Sequence, residues 1–465
     1  MLSLFSPAFR AEVTANLRLA LPLIAAQIAA VGMGTVDTIY AGRLGPQPLA
    51  AVAVAVNVYN LFLIFFMGLL MACAPIAAQL YGAQRPQAEL GAFLRRSRRF
   101  ALIVGVIWTL LLNLVGPLML KALGLSAATT ADAIEFLRWY SGVGLMTALW
   151  FALRFGAEGL GQVRPIVIAA LIGPAANALF GWLLLFGPFG LPTFGIKGLG
   201  LASTLATTLM AAVLAWQYRR VPALRATWVA DAATGQLATG EGARDILKLG
   251  LPIAAIITAE GGLFVLTALL MARFGEGTVA AYQIAINFSS LVFMIPLGVA
   301  MATTVRVGHA AGAGDFAAAR SRGYTGVALG GLNAASNAAI MLLFSGLIVA
   351  FYTDDTAIAM QAAGFLWLAA AFQLFDGLQA TANGALRGLK DTRMPMLLTM
   401  LSYWAIGMPV AWWLAFRAGL GPDGMWWGLT AGLGMAALGL SLRFRHKAGK
   451  LVRRAGASTS RPVET

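Results

Sequence analysis

Asp37, Glu260 and Asp376 each fall inside a long, mostly apolar stretch, where an acid is costly. A charge is tolerated there only if it faces a cavity or a partner. No lysine or arginine lies near the middle of these stretches, so a mobile cation or a proton must balance the carboxyls. Sodium suits carboxylates combined with carbonyl oxygens, because hard cations take oxygen ligands. A proton suits carboxyls shielded from water, and the residue types serve either ion. Gly261 and Gly262 open backbone space beside Glu260. Phe372 lies one turn before Asp376, close enough to offer a ring face to a cation.

A second set of polar residues shares these stretches. Gln27, Asn57, Asn177, Gln283, Asn287 and Gln373 can line a cavity or bind helices to one another. Asp354 and Asp355, in "FYTDDTAI", either cap a helix or draw cations to a cavity mouth. Catalytic chemistry has little to work with. The histidines are His309 and His446, the lone cysteine is Cys73, and no Ser/His/Asp, metal-ligand or phosphate-cradling constellation stands out. The expectation is a protein that is not an enzyme and holds no resident cofactor.

These residues need membrane helices to position them. Apolar residues make up 60% of the chain and charged ones 11%, against about 25% charged in a soluble domain. Stretches of about 20 apolar residues cross a hydrocarbon core as helices, which satisfy their own backbone. The short alternating segments of a β-barrel are absent. Leu2 to Arg18 runs into the first span without a small-residue cleavage site. Hydropathy places twelve spans at about 17–42, 50–74, 93–118, 131–154, 165–187, 196–218, 247–272, 280–304, 324–350, 357–383, 395–417 and 425–444.

Most of the 33 Lys and Arg, Arg154 and Arg387 among them, count toward the N-terminus, the even-numbered loops and the tail. Arg43, Lys121, Arg138, Lys197, Arg273 and Arg417 count toward the other side. Both termini are therefore expected in the cytoplasm. The same placement makes the net charge of +15 a topological signal with affinity for lipid headgroups, not a nucleic-acid footprint.

The chain also repeats itself. "LRLALPLIAAQ" from Leu17 matches "LKLGLPIAAII" from Leu247 at an offset of 230, which carries Arg43 onto Arg273, Asn57 onto Asn287 and Gly68 onto Gly298. "GLGQVR" from Gly159 falls on "GLKDTR" from Gly388. The expected layout is an all-α polytopic protein with two six-helix bundles, 1–218 and 247–445, related by a pseudo-two-fold along the membrane normal. A cytoplasmic linker, 219–246, joins them, and a basic tail, 446–465, follows. Transporters built from such repeats bind substrate between the halves. The acids are not part of the repeated frame, since Asp37 aligns with Thr267 and Glu260 with Ala30.

"LALPLIAAQIAAVGMGTVDTIYAGRLG", "LRFGAEGLGQVRP" and "AAYQIAINFSSLVFMIPLGVA", in that order and spacing, resemble the multidrug and toxic compound extrusion family, in its NorM-type branch. The resemblance implies a multi-pass efflux antiporter of the bacterial inner membrane that exchanges cationic amphiphilic compounds for Na+ or H+. It puts the cation site on Glu260 and Asp376, a coupling or drug-contact role on Asp37, and the acidic pair before span ten on Asp354 and Asp355. Phe372 departs from the tyrosine found in some members. A monomer among membrane lipids is expected. The alternative is a lipid-linked oligosaccharide flippase of similar architecture, which needs cations in its cavity to meet a pyrophosphate.

Overall fold

A computed structural model describes residues 7–190, 192–233 and 240–459. Every regular element among them is helical, as a chain solvated by lipid requires. The first repeat comprises α1 (Pro7–Leu44), α2 (Pro46–Met71), α3 (Cys73–Gly82), α4 (Gln87–Leu114), α5 (Gly116–Ala122), α6 (Ala127–Tyr140), α7 (Gly142–Gly159), α8 (Val163–Phe186) and α9 (Gly195–Arg220), and the short α10 (Pro222–Ala233) follows. The second comprises α11 (Ala243–Met271), α12 (Glu276–Gly312), α13 (Phe316–Leu343), α14 (Ser345–Ala350), α15 (Thr356–Gly388), α16 (Arg393–Met400), a π-helical stretch (Leu401–Gly407), α17 (Met408–Phe416) and α18 (Pro422–Thr459).

Among the described residues, eleven helical runs are long and apolar enough to cross a membrane. The remaining expected span, 131–154, falls on α6 and α7, which part at Ser141 and have 14 and 18 residues. Its acidic start, with Asp132 and Glu135, dilutes the hydropathy that marks the others.

Packing divides the chain into two compact units, Ala25–Ala254, and Met1–Ile24 with Ala255–Thr465. The start of α1 thus belongs with the second repeat and the start of α11 with the first. In the larger-numbered unit, Asn16 Nδ2 donates to Thr303 Oγ1 at 3.1 Å, Glu12 pairs with Arg306, and Arg322 Nε lies 3.7 Å from Glu12. One and two turns further on, Ala20 and Ile24 share a small core with Val299 and Ala302. The unit Ala25–Ala254 shows the matching contact in backbone alone. A Cβ added at Gly250 would sit 2.2 Å from the Leu69 carbonyl oxygen, so only glycine lets α11 approach α2 there. Pro22 and Pro252 stand two residues before the two junctions, and each removes one helical hydrogen bond.

The repeat is also written in the turns. The helices α3, α7, α12 and α15 each end with a left-handed residue, Gln84 (φ 52°), Gly161 (φ 73°), Gly314 (φ 76°) and Lys390 (φ 52°). After each, one backbone N–H reaches back five residues: Arg85 to Leu80, Gln162 to Ala157, Asp315 to Ala310, and Asp391 to Leu386. This is a Schellman closure, which satisfies helix-end carbonyls. Glycine holds that conformation without strain, whereas another residue gives up about 1 kcal/mol. Gln84→Gly is therefore expected to raise the thermal midpoint of the detergent-solubilised protein slightly. A clear fall would mean that the glutamine side chain contributes more than the strain it imposes.

Candidate functional site

Asp37 is 4% exposed on α1, in the unit Ala25–Ala254. Its Oδ1 accepts hydrogen bonds from Asn177 Nδ2 on α8 and Ser203 Oγ on α9, both at 2.8 Å. Ser203 Oγ also lies 3.3 Å from Asn177 Oδ1, and Asn177 Nδ2 lies 3.3 Å from the Met33 carbonyl. Three helices therefore converge on one carboxylate oxygen, which fixes its direction. The phenol of Tyr140, on α6, is within electrostatic reach. Asn177 carried a polar signal in its span. Ser203 carried none, because a serine in an apolar helix ordinarily bonds to its own preceding turn, as this one also does with Leu199.

In the same unit, Arg154 Nη2 donates to Gln27 Oε1 at 2.5 Å, and Glu158 follows one turn later on α7. Arg154 is 5% exposed, and Arg387, on α15, is 6% exposed. Hydropathy counts both with the loops, but they are buried on helices that continue past their apolar windows, since hydropathy measures affinity for lipid and not cover by protein.

Glu260 and Asp376 belong to the other unit, on α11 and α15. Their charges act on one another, and that of Arg387 acts on Glu260. Glu260 is half-buried and Asp376 is buried. Asp376 Oδ1 has no hydrogen-bond partner among the described residues, and neither amide atom of the fully buried Gln373 has one. Groups of this kind lose about 1–3 kcal/mol each when buried unpaired. Beside them, Gln379 Nε2 donates to Tyr403 Oη at 3.0 Å, and both side chains are buried. Tyr403 lies on the π-helical stretch, within electrostatic reach of both acids. Such a stretch leaves no mark in hydropathy, and π-turns cluster at functional positions. Tyr403 and Gln379 are the residues that sequence reasoning missed here.

Phe372 is fully buried against Phe264 and Trp426, at centroid distances of 5.8 and 6.2 Å. Its ring is part of an apolar core cluster with Leu263, Phe365 and Tyr403. Gln283 and Asn287 on α12 and Asn57 on α2 are exposed. Asn287 Oδ1 accepts from Tyr352 Oη at 3.0 Å. Asp355 caps α15, accepting from the N–H groups of Ala357 (2.9 Å) and Ile358 (3.0 Å). Asp354 is exposed beside it, without a partner among the described residues. No group of three or more His, Cys, Asp or Glu gathers among the described residues. An ion at Glu260 and Asp376 would complete its oxygen shell from amides, the phenol, backbone carbonyls or water.

A recess of about 660 Å³ beside the π-helical stretch is lined by Leu266, Leu270, Trp404, Met408, Pro409, Val410, Trp412 and Trp413. None of these residues is an acid.

The family described as MatE matches residues 22–183 and 252–413, two stretches that begin 230 residues apart, the offset of the internal repeat. A protein of Xanthomonas axonopodis pv. citri (strain 306), described as "Probable multidrug resistance protein NorM", is 39% identical over 452 residues, covering 96% of each chain. "Multidrug resistance protein PmpM" of Pseudomonas aeruginosa is 35% identical over 463 residues, covering 96% of this chain and 93% of its own. Among solved structures, one described as the "Outward-facing conformation of a multidrug resistance MATE family transporter of the MOP superfamily" aligns with a TM-score of 0.84 at 20% identity, over 95% of this chain and 97% of that one. "Crystal structure of eukaryotic MATE transporter AtDTX14" aligns with a TM-score of 0.83 at 22% identity, over 96% and 99%. The fold is shared with both.

Proposed function

From the premise that this chain belongs to the MatE family of membrane transporters, we propose that it exports cationic organic compounds in exchange for sodium ions or protons. The observation that carries this reading is the Glu260–Asp376 pair. Two acids lie within electrostatic reach of one another, and Glu260 also of Arg387, with one buried carboxylate oxygen and a neighbouring amide left without hydrogen bonds among the described residues. A cation or proton arriving there relieves repulsion and desolvation together. Asp37, held by Asn177 and Ser203, is a second acid available to an ion, a proton or a cationic drug. Asp354, Asn57, Gln283 and Asn287 add polar groups that protein does not cover.

The six-span repeats, 1–218 and 247–445, act in this proposal as rocking bundles that open the substrate cavity alternately to each side. Ion and drug must bind the two states differently, because equal affinity for both shifts nothing. The protein works as a monomer in the bacterial inner membrane, with both termini cytoplasmic, as the distribution of Lys and Arg favours.

The flippase alternative is weaker on one specific ground. Its pyrophosphate needs an available cation, whereas Arg154 is engaged by Gln27 and Arg387 faces the charge of Glu260. Proteoliposomes separate the readings. Ethidium transport driven by an imposed sodium or proton gradient, applied one at a time, is the expected result and names the ion. Ethidium movement that ignores both gradients would sink antiport and bring the flippase forward.

A further inference from the structure

The helix α10 carries a feature that the transport reading does not use. It starts just beyond Arg220, where the apolar run of α9 ends, and packs on α4 and α9. With 12 residues it is too short to cross a membrane. Its inward face buries Leu224 and Thr227. The ring of Trp228 is held between two guanidinium groups, Arg98 at 4.3 Å and Arg219 at 5.4 Å. The opposite face is apolar and uncovered: Pro222, Ala226 and Val229 stand exposed at helical spacing. An apolar stripe turned away from the protein at the end of a membrane span is placed to meet hydrocarbon.

Arginines border that stripe. Arg220, Pro222, Arg225, Ala226 and Val229 line a recess of about 360 Å³. Neither Arg220 nor Arg225 has a carboxylate partner among the described residues. Arg220 stacks over Trp216, at 5.5 Å to the ring centroid, and Trp216 is itself 56% exposed. The recess thus offers two unneutralised guanidinium groups above an apolar floor, with an aromatic ring at its edge. Guanidinium groups match phosphate oxygens in geometry as well as in charge. The floor distinguishes the occupant: a free phosphate has no use for Val229 and Ala226, whereas a phospholipid covers them with the first carbons of its chains.

We infer that this recess is a binding site for one anionic phospholipid, with its phosphate between Arg220 and Arg225 and its glycerol and upper acyl chains on Pro222, Ala226 and Val229. The site stands apart from the carboxyl clusters and does not depend on which ion, if any, drives transport.

The test is native mass spectrometry of the full chain in detergent, titrated with phosphatidylglycerol, phosphatidylethanolamine or soluble glycerol phosphate. Wild type is expected to bind its first phosphatidylglycerol about thirtyfold more tightly than phosphatidylethanolamine, since two arginines near a headgroup together contribute on the order of 2 kcal/mol. Arg220→Gln with Arg225→Gln should erase that preference. An equal charge loss elsewhere, Arg453→Gln with Arg454→Gln, should leave it intact. Arg225→Gln alone, on an exposed side chain, gives the same reading at reduced size if the double variant folds poorly. Equal binding of the two lipids, or equal loss in both double variants, overturns the proposal. Displacement of the lipid by glycerol phosphate at comparable concentration overturns it too, in favour of a free-anion site.

Discussion

Asp376→Asn is expected to abolish gradient-driven ethidium efflux, by at least about tenfold in initial rate, in a protein that purifies and melts like wild type. The two halves of that expectation have one origin. Asp376 Oδ1 and the whole amide of Gln373 are buried without hydrogen bonds among the described residues, an arrangement that costs folding free energy. An asparagine of the same shape lacks the charge that repels Glu260 and is cheaper to desolvate. The variant should therefore be as stable as wild type or more so, while losing the group that holds an ion or proton. Glu260→Gln is expected to behave alike. Rates in proteoliposomes and thermal midpoints in detergent check both halves. Wild-type efflux in either variant would remove the pair from the ion site, and a large drop in midpoint would recast Asp376 as structural.

Reversing Glu12 is the second large effect. Its carboxylate meets Arg306 and Arg322 at the start of α1, with side chains 27%, 12% and 28% exposed. Glu12→Arg would bring three guanidinium groups together. Removing one partner from a fully buried pair costs about 3–5 kcal/mol, and the partial exposure here reduces that to about 2 kcal/mol. Arg306→Glu should cost a similar amount, whereas the two changes together restore one acid facing two cations and should recover most of the loss. Four thermal midpoints, wild type included, make the cycle. Additive losses in the double variant would mean that the ion pair contributes nothing. The four positions that align with this contact are uncharged. Glu12, Asn16, Thr303 and Arg306 correspond by the repeat to Gly242, Ile246, Cys73 and Ile76. Just before α11, Arg96 Nη1 donates to the Glu241 carbonyl at 3.1 Å. Salt should weaken the Glu12 contact.

The membrane class and the internal repeat were legible because lipid imposes them on composition. Twelve apolar stretches can be counted, and an offset of 230 can be aligned without coordinates. The acids Asp37, Glu260 and Asp376 were equally legible, since a carboxyl in an apolar run is conspicuous in any chain. Their partners were less so. Asn177 stood out as an amide, whereas Ser203 and Gln379 belong to residue types that membrane helices carry for many reasons. Tyr403 depends on a π-helical stretch, a change of hydrogen-bond register that leaves side-chain periodicity almost intact. Arg154 and Arg387 were misplaced because a basic residue near the end of a span reads as a loop. The structure instead gives them protein neighbours. The division of α1 and α11 between packing units was invisible for a related reason: hydropathy reports that a residue leaves water, not which helix receives it.

That division has a consequence for the order in which the protein is made. Asn16 leaves the ribosome early, yet its partner Thr303 is 287 residues away, and Glu12 waits 294 residues for Arg306. At about 5–20 residues per second, the delay is roughly 15–60 s. Throughout it, Ala20 and Ile24 lack the α12 surface that covers them in the finished protein. The unit Ala25–Ala254 likewise stays incomplete until Gly250 arrives to close on Leu69. Each unit can therefore close only after its last-made contact helix exists: α11 for the unit Ala25–Ala254, and α12 for the packing of the α1 start.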